Sequence, residues 1–158
     1  MTTPVDDIDR IMAVMAEAFD PAFAEAWTRR QVEDALLIGN CHYLLVAGDG
    51  TPPAHGQAAA GFCLSRHGYR EEELLLFAVE PEHRRRGLGT ALLARFAASA
   101  RARGAERLLL EMREDNPAEQ LYRAFGFTQI GRRTGYYRPP SGQRIDALTF
   151  AFDFDPVG

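Results

Sequence analysis

Between Arg84 and Thr90 the chain reads Arg-Arg-Arg-Gly-Leu-Gly-Thr. Gly87 and Gly89 let the backbone approach a ligand closely and take positive φ. A helical pattern starts inside this loop at Leu88, and the first N–H groups of a helix have no partners of their own. Those donors, with the positive end of the helix dipole, make an anion site. Arg84, Arg85 and Arg86 raise the local potential further. The chemistry this predicts is binding of a phosphate or pyrophosphate. The loop is not a Walker loop, because G-x-x-x-x-G-K-[ST] is missing. It is not a dinucleotide fingerprint, because a third glycine and the acidic residue closing a later strand are both missing. An ordinary strand-to-helix turn beside a solvated arginine run fits the same residues.

Two further side chains have types suited to proton transfer. Glu111 ends the apolar triplet Leu108-Leu109-Leu110. A carboxylate there is costly to bury without a role or a partner, and burial would raise its pKa toward that of a useful base. The same residue fits equally a solvated strand face or a pair with an arginine. Tyr122 follows Asn116 on the next helical stretch. A phenol of pKa ~10 can give a proton to a basic leaving group. It also fits a core position beside Leu121 and Phe125. The four histidines, His42, His55, His67 and His83, show no metal-ligand spacing, so no metal is expected. His83 beside the arginine loop reads as a surface residue, with an anion contact as the alternative.

Taken together these segments resemble a known family. Arg84, Gly87 and Gly89 match R-x-x-G-x-G, the pyrophosphate loop of the GNAT family of N-acetyltransferases, which hold acetyl-coenzyme A. Leu110-Glu111-Met112-Arg113, Asn116 and Leu121-Tyr122-Arg123-Ala124-Phe125-Gly126-Phe127 look like the second half of the same family. The resemblance covers roughly residues 10 to 154 and is strongest from 74 to 152. Within the family, FAVEP, RRRGLG, LEMREDN, LYRAFGF and Gly135-Tyr136-Tyr137 are similar to the RimI type, which acetylates the N-terminal alanine of a ribosomal protein.

The resemblance implies one N-acetyltransferase domain over residues 1–158, with an α/β fold: a central mixed, mostly antiparallel sheet flanked by helices. It implies acetyl-coenzyme A as cosubstrate, held by Phe77, Ala78, Val79, the loop Arg84, Arg85, Arg86, Gly87, Leu88, Gly89 and Thr90, and by Asn116 and Tyr122. Backbone N–H groups of Phe77 to Val79, Val79 foremost, would polarise the thioester on a strand that splays from its neighbour. Asn116 reads otherwise as a plain helix cap. Glu111 becomes the general base, acting through a water, and Tyr122 the general acid. The acceptor is expected to be a protein or peptide N-terminus, on a ribosomal protein. Trp27, Tyr136, Tyr137 and Asp146 are its expected contacts, with Asp146 meeting basic side chains. A small amine or a lysine side chain is the rival acceptor, and a non-catalytic acetyl-coenzyme A-binding module that regulates a partner protein the rival class.

The elements that must position these residues can be read from pattern. Asp6 caps a first helix whose face is Ile8, Ile11, Met12, Met15 and Phe19, stopped by Asp20-Pro21. Too little chain precedes it for a secure first strand. Thr28 and Gln31 form a capping box for a second short helix ending near Gly39. Between them, Phe23 to Trp27 reads as a substrate contact or as a plug over the core. Cys41–Ala47, Ala58–Arg66 and Glu72–Val79 read as antiparallel strands. A helix from Leu88 to Arg103 presents Leu88, Ala91, Leu92, Phe96 and Ser99, with Gly104 as its stop. Arg107–Arg113 comes after this crossover and so runs parallel to the strand before it. Pro117 opens a helix running to Phe125. Residues 129–137 and 146–154 make a hairpin. The loop Gly48–Gln57 and the turn His67–Arg70 lie where acceptor recognition is expected.

Composition excludes several other classes. The chain has 158 residues with 46% hydrophobic and 25% charged content, ordinary for a globular domain. A net charge of −4 argues against sequence-independent nucleic-acid binding and leaves a basic peptide or amine acceptable. Apolar runs are too short for a membrane span, and the first residues lack a signal-peptide layout, so a cytoplasmic address is expected. Cys41 and Cys63 are expected to be reduced core thiols. The expected assembly is a monomer or weak dimer.

Overall fold

The computed structural model describes residues 4–19, 25–84 and 87–155. Arg85, Arg86, Phe23 and the helix stop at Asp20-Pro21 lie outside them. The elements run α1 (Pro4–Ala18), α2 (Arg29–Ile38), β1 (Cys41–Val46), β2 (Gly61–His67), β3 (Glu71–Val79), α3 (Leu88–Ala102), β4 (Arg107–Arg113), α4 (Glu119–Phe125), β5 (Thr128–Tyr137) and β6 (Ile145–Asp153). A 3-10 turn, Pro81–His83, joins β3 to the loop before α3. Among the described residues no strand precedes α1, and no helix is long and apolar enough to cross a membrane.

The six strands form one sheet in the order β1-β2-β3-β4-β6-β5. Every neighbouring pair is antiparallel except β3 and β4, which α3 connects in parallel. A mixed, mostly antiparallel sheet between helices is therefore what the chain builds. One face packs on α1 and α2 through Ile8, Ile11, Val14, Met15, Val32, Phe62, Leu64 and Leu76. The other packs on α3 and α4 through Leu92, Leu93, Phe96, Leu108, Leu110, Phe127 and Phe150. Each fully buried large side chain contributes about 1.5–3 kcal/mol.

A slip in register between β2 and β3 divides the sheet into a closed end and an open end. Leu64 pairs with Leu76, but Ser65 pairs with Leu74, so Leu75 is an extra residue on β3. A bulge exchanges the two faces of its strand and adds twist. Leu76 and Ala78 accordingly face α1, while Leu74 and Phe77 join the α3 side. The pairing of β3 with β4 ends at the same place, Leu74 opposite Leu110, although both strands continue. The sheet is open beyond that point.

At the closed end, Glu72 is fully buried. Arg103, at the end of α3, donates to it twice, through Nε at 2.9 Å and through Nη2. Ser65 donates at 2.5 Å, and His67 Nδ1 lies 3.2 Å away. Burial alone would raise the Glu72 pKa, but these donors and the Arg103 charge outweigh it and hold the carboxyl below its ordinary range. Arg10 anchors the far loop, giving its guanidinium to Gln57 O and Ala54 O.

Several boundaries differ from the sequence reading for local reasons. Helix α1 starts at Pro4, so Asp6 lies inside its first turn. The buried face of α3 also includes Leu93, Ala97 and Ala100, which belong to one core cluster with Leu108, Leu110, Tyr122 and Phe127. Helix α4 starts at Glu119, with Pro117 in the preceding turn. Cys63 is buried, which pushes its thiol up to about 12, and Cys41 is half-buried; both are free.

Removing Arg103 leaves a buried carboxylate without its main partner, so Arg103→Ala is expected to cost about 3–5 kcal/mol in urea unfolding near neutral pH. A depressed folded pKa means the contribution is present above the unfolded glutamate value and is lost as pH falls through the folded value. The gap between wild type and variant should therefore close on acidification; a gap constant down to about pH 3 would contradict this.

Candidate active site

Among the described residues, no strand lies beside the second edge of β3 beyond Leu74. The Glu80 amide donates toward β2, to Ala60 O at 2.8 Å. Backbone groups alternate along a strand, so the Ala78 amide turns the same way and those of Phe77 and Val79 face the opening. On that edge the Val79 carbonyl accepts from Arg84 Nε at 3.1 Å, and Arg84 Nη2 reaches Ala18 O at 3.2 Å. Arg84 thus ties the end of β3 to the end of α1.

Two cavities meet at the opening. The first, about 580 Å3, is lined by Phe77, Ala78, Val79 and Arg84, by Gly87, Gly89 and Thr90 at the start of α3, and by Asn116, Pro117, Leu121 and Tyr122. Gly87 caps the 15-residue helix α3 with φ +79 and without a side-chain acceptor, so the first helical N–H groups stay available. A Cβ at Gly89 would stand 3.1 Å from Leu121 Cδ2. Leu88 points away, 4% exposed in a small cluster with Ala60 and Val79. It does not line the cavity, because the helix turns it toward the sheet.

The second cavity, about 380 Å3, lies on the other side of the opening. Its lining includes Glu25, Trp27, Gln31, Leu75, Glu111, Tyr136 and Tyr137. Glu111 is half-buried, with Arg133 Nε 3.2 Å from its Oε2 and Thr149 Oγ1 3.4 Å away. The carboxylate is therefore not enclosed by apolar side chains; it lies beside an arginine on the edge strand. Tyr122 is buried edge-on between Phe77 and Phe127 and lines both cavities. Burial pushes its phenol well above the ordinary tyrosine value. Tyr137 is pushed up to about 12, by burial first and then by the charges of Glu111 and Glu25.

Asn116 also lines both cavities, while its Oδ1 accepts from Ala118 N at 2.9 Å. It caps a turn and faces the opening at once. Asp146 lines neither cavity: its carboxylate takes Gly135 N at 2.7 Å and Arg132 Nη1 at 2.6 Å, which fastens β5 to β6. Those bonds consume the acceptors that the sequence reading assigned to a basic partner. The loop 48–57 and the turn 67–70 line neither cavity. Arg10 draws the first back onto α1, and the second sits at the closed end of β3. His83 is no plain surface residue, since its Nδ1 is buried and its ring packs against Gly48. Its ring nitrogen and the carboxylates of Glu80 and Glu82 form a group with ligand atoms within 4.8 Å of one another.

Sequence reasoning missed Glu25 and Arg113. Arg113 Nε lies 3.0 Å from Glu25 Oε1, and Arg113 also meets Asp115 at 2.5 Å. Glu25 sits in an irregular stretch, where no periodicity reports which way a side chain faces.

Comparison with known proteins places this geometry. The sequence profile of the acetyltransferase (GNAT) family matches residues 9–127. The chain belongs to that family. A [ribosomal protein bS18]-alanine N-acetyltransferase of Haemophilus influenzae is 34% identical over 91 residues, covering 58% of this chain and 62% of the relative. The enzyme of that name from Escherichia coli K12 is 37% identical over 93 residues, with the same two coverages. The matched stretch thus spans less than two thirds of either relative. The crystal structure of the ribosomal-protein-S18-alanine N-acetyltransferase from Escherichia coli superposes with a TM-score of 0.80 at 26% identity, covering 99% of this chain and 93% of that one. In this GNAT chain the matched segment contains the loop before α3, Glu111 and Tyr122; the β5–β6 hairpin lies beyond it.

The two perturbed phenols give a titration test. Up to about pH 11, past the ordinary tyrosine value of ~10, Tyr122→Phe and Tyr137→Phe should show the same tyrosinate absorbance change as wild type. A loss of amplitude in that range would place either phenol in ordinary solvent.

Proposed function

We propose that the chain transfers acetyl from acetyl-coenzyme A to an amine by direct attack, and that the amine is a protein N-terminus. The observation that carries this is the opening at Leu75. It joins a cavity lined by the start of α3 on one side to a cavity with carboxylates and aromatic walls on the other, with Tyr122 between them.

In this reading the N–H groups at the start of α3, with Gly87 and Gly89, hold the pyrophosphate. The Phe77 and Val79 amides on the open edge of β3 polarise the thioester carbonyl. Glu111 takes a proton from the acceptor ammonium through a water. The freed nitrogen lone pair forms the bond to the acetyl carbon, the carbon–sulfur bond breaks, and the departing thiolate takes its proton from Tyr122. The nitrogen, now bonded to the acyl carbon, sheds its second proton through water to restore the Tyr122 phenol, and Glu111 releases its proton to solvent. Burial makes Tyr122 a weaker acid, but the same apolar surroundings make a thiolate more basic, so the transfer stays matched.

The preference for an N-terminal amine rests on proton cost. At pH 7 an α-amine of pKa ~7.7–8.0 costs about 1 kcal/mol to deprotonate, and a lysine of pKa ~10.4 about 4.6 kcal/mol. A partly exposed carboxylate already beside Arg133 suits the first far better. The names of the bacterial relatives point to a ribosomal protein starting with alanine, and Trp27, Tyr136 and Tyr137 supply walls for an extended peptide.

Three variants test this. Gly89→Val should weaken acetyl-coenzyme A binding by calorimetry, since the side chain fills the first cavity and meets Leu121. Glu111→Gln and Tyr122→Phe should each lower turnover by a factor of ~10²–10⁴ with little change in cofactor affinity. An Ala-Arg-Tyr peptide should exceed free lysine and small polyamines in kcat/KM. Near-wild-type turnover in both catalytic variants would remove the assignment, and no modification of the peptide would remove the N-terminal acceptor.

A further inference from the structure

Phe19, Glu25, Phe77, Asn116 and Tyr122 line both cavities. Of these, Glu25 alone is a carboxylate. It stands three residues before the Thr28 cap of α2, and its side chain is 18% exposed. Its Oε1 accepts from Arg113 Nε at 3.0 Å. Glu111 lines the second cavity without reaching the first, and its carboxylate already faces Arg133 and Thr149. The acceptor cavity thus holds two carboxylates from different elements, with Trp27, Tyr136 and Tyr137 as aromatic walls. Both carboxylates act on Tyr137, and the charge of Glu25 also reaches Tyr122. Glu25 lines the cavities on both sides of the opening, whereas Glu111 lines one.

We infer that Glu25 is an acceptor-binding carboxylate: it takes the ammonium form of the incoming amine at the opening, before Glu111 removes the proton. Resting on the acetyl-transfer reading above, this adds the residue that selects the acceptor's charge state. A site with two carboxylates between aromatic rings favours a cation. It selects amines that are protonated in solution, N-terminal or aliphatic, and turns away arylamines, which are neutral near pH 7. The division of labour is physical. A carboxylate beside an ammonium stabilises its charged form, so Glu25 strengthens binding while raising the proton cost that Glu111 must meet.

The test is steady-state kinetics of Glu25→Gln and Glu25→Asp against wild type, with an N-terminal peptide and with a small aliphatic amine. Acetyl-coenzyme A affinity and melting temperature are measured in parallel. Losing one charge-assisted hydrogen bond should raise the acceptor KM of Glu25→Gln about tenfold or more, with kcat little changed and acetyl-coenzyme A affinity unchanged. The acidic limb of kcat should move to lower pH, because the bound ammonium loses its counter-charge. Glu25→Asp, which keeps the charge, should fall between the two. A purely structural role through Arg113 would not move that limb, so a raised KM with the limb in place overturns the inference, as does an unchanged KM. A hundredfold fall in kcat at constant KM would overturn it in favour of proton transfer by Glu25. Wild type active on the small amine but not on the peptide removes the peptide acceptor alone, and Glu25 is then judged by the same shifts on that amine. Wild type inactive on every amine removes both.

Discussion

Leu75 occupies a place in β3 for which β2 offers no partner. The consequences of that one extra residue extend through the site. The strand exchanges its faces, so Glu72 and Leu74 lie on the α3 side before the bulge and Phe77 after it. Its twist parts it from β4 at Leu74, and a row of β3 backbone groups loses its ladder. Unpaired backbone groups are costly when buried, and they persist where a ligand, water or side chain can satisfy them. Here one carbonyl is satisfied by Arg84, while the amides of Phe77 and Val79 face the opening. Closing the sheet would satisfy them all and leave no passage between the cavities.

Charge is organised around that opening by arginines. Glu72 at the closed end meets Arg103 and carries no chemistry; it fixes the end of α3 against β2 and β3. Glu111 meets Arg133, and Glu25 meets Arg113. The burial of the partner separates these pairs. Arg103 is three-quarters buried on a fully buried carboxylate, whereas Arg133 is mostly exposed. Exposed pairs contribute about 0–1 kcal/mol, so the guanidinium on Glu111 is a light cover that an incoming cation can replace.

Much of this was legible in the sequence where local chemistry dictates it. The capping box of Thr28 and Gln31 forms as the residue types require. The strand, crossover helix and parallel strand from Glu71 to Arg113 are set by apolar runs and by the glycines around α3. The bulge was not legible, because Leu74, Leu75 and Leu76 are chemically alike and the choice of the extra one is made by pairing with β2. Glu25 was hidden for a related reason, since its direction is set by Arg113, 88 residues away. Asp146 misled because its type suits a basic partner, while the hairpin geometry already supplies Gly135 N–H and Arg132.

The most direct test of the account is a crystal structure with acetyl-coenzyme A bound. The pyrophosphate is expected on the N–H groups at the start of α3, the pantetheine arm between the parted strands, and the thioester oxygen about 2.7–3.2 Å from the Val79 or Phe77 amide, with Tyr122 Oη turned to the sulfur. A cofactor seated outside the opening, or β3 and β4 paired past Leu74 in the complex, would contradict it.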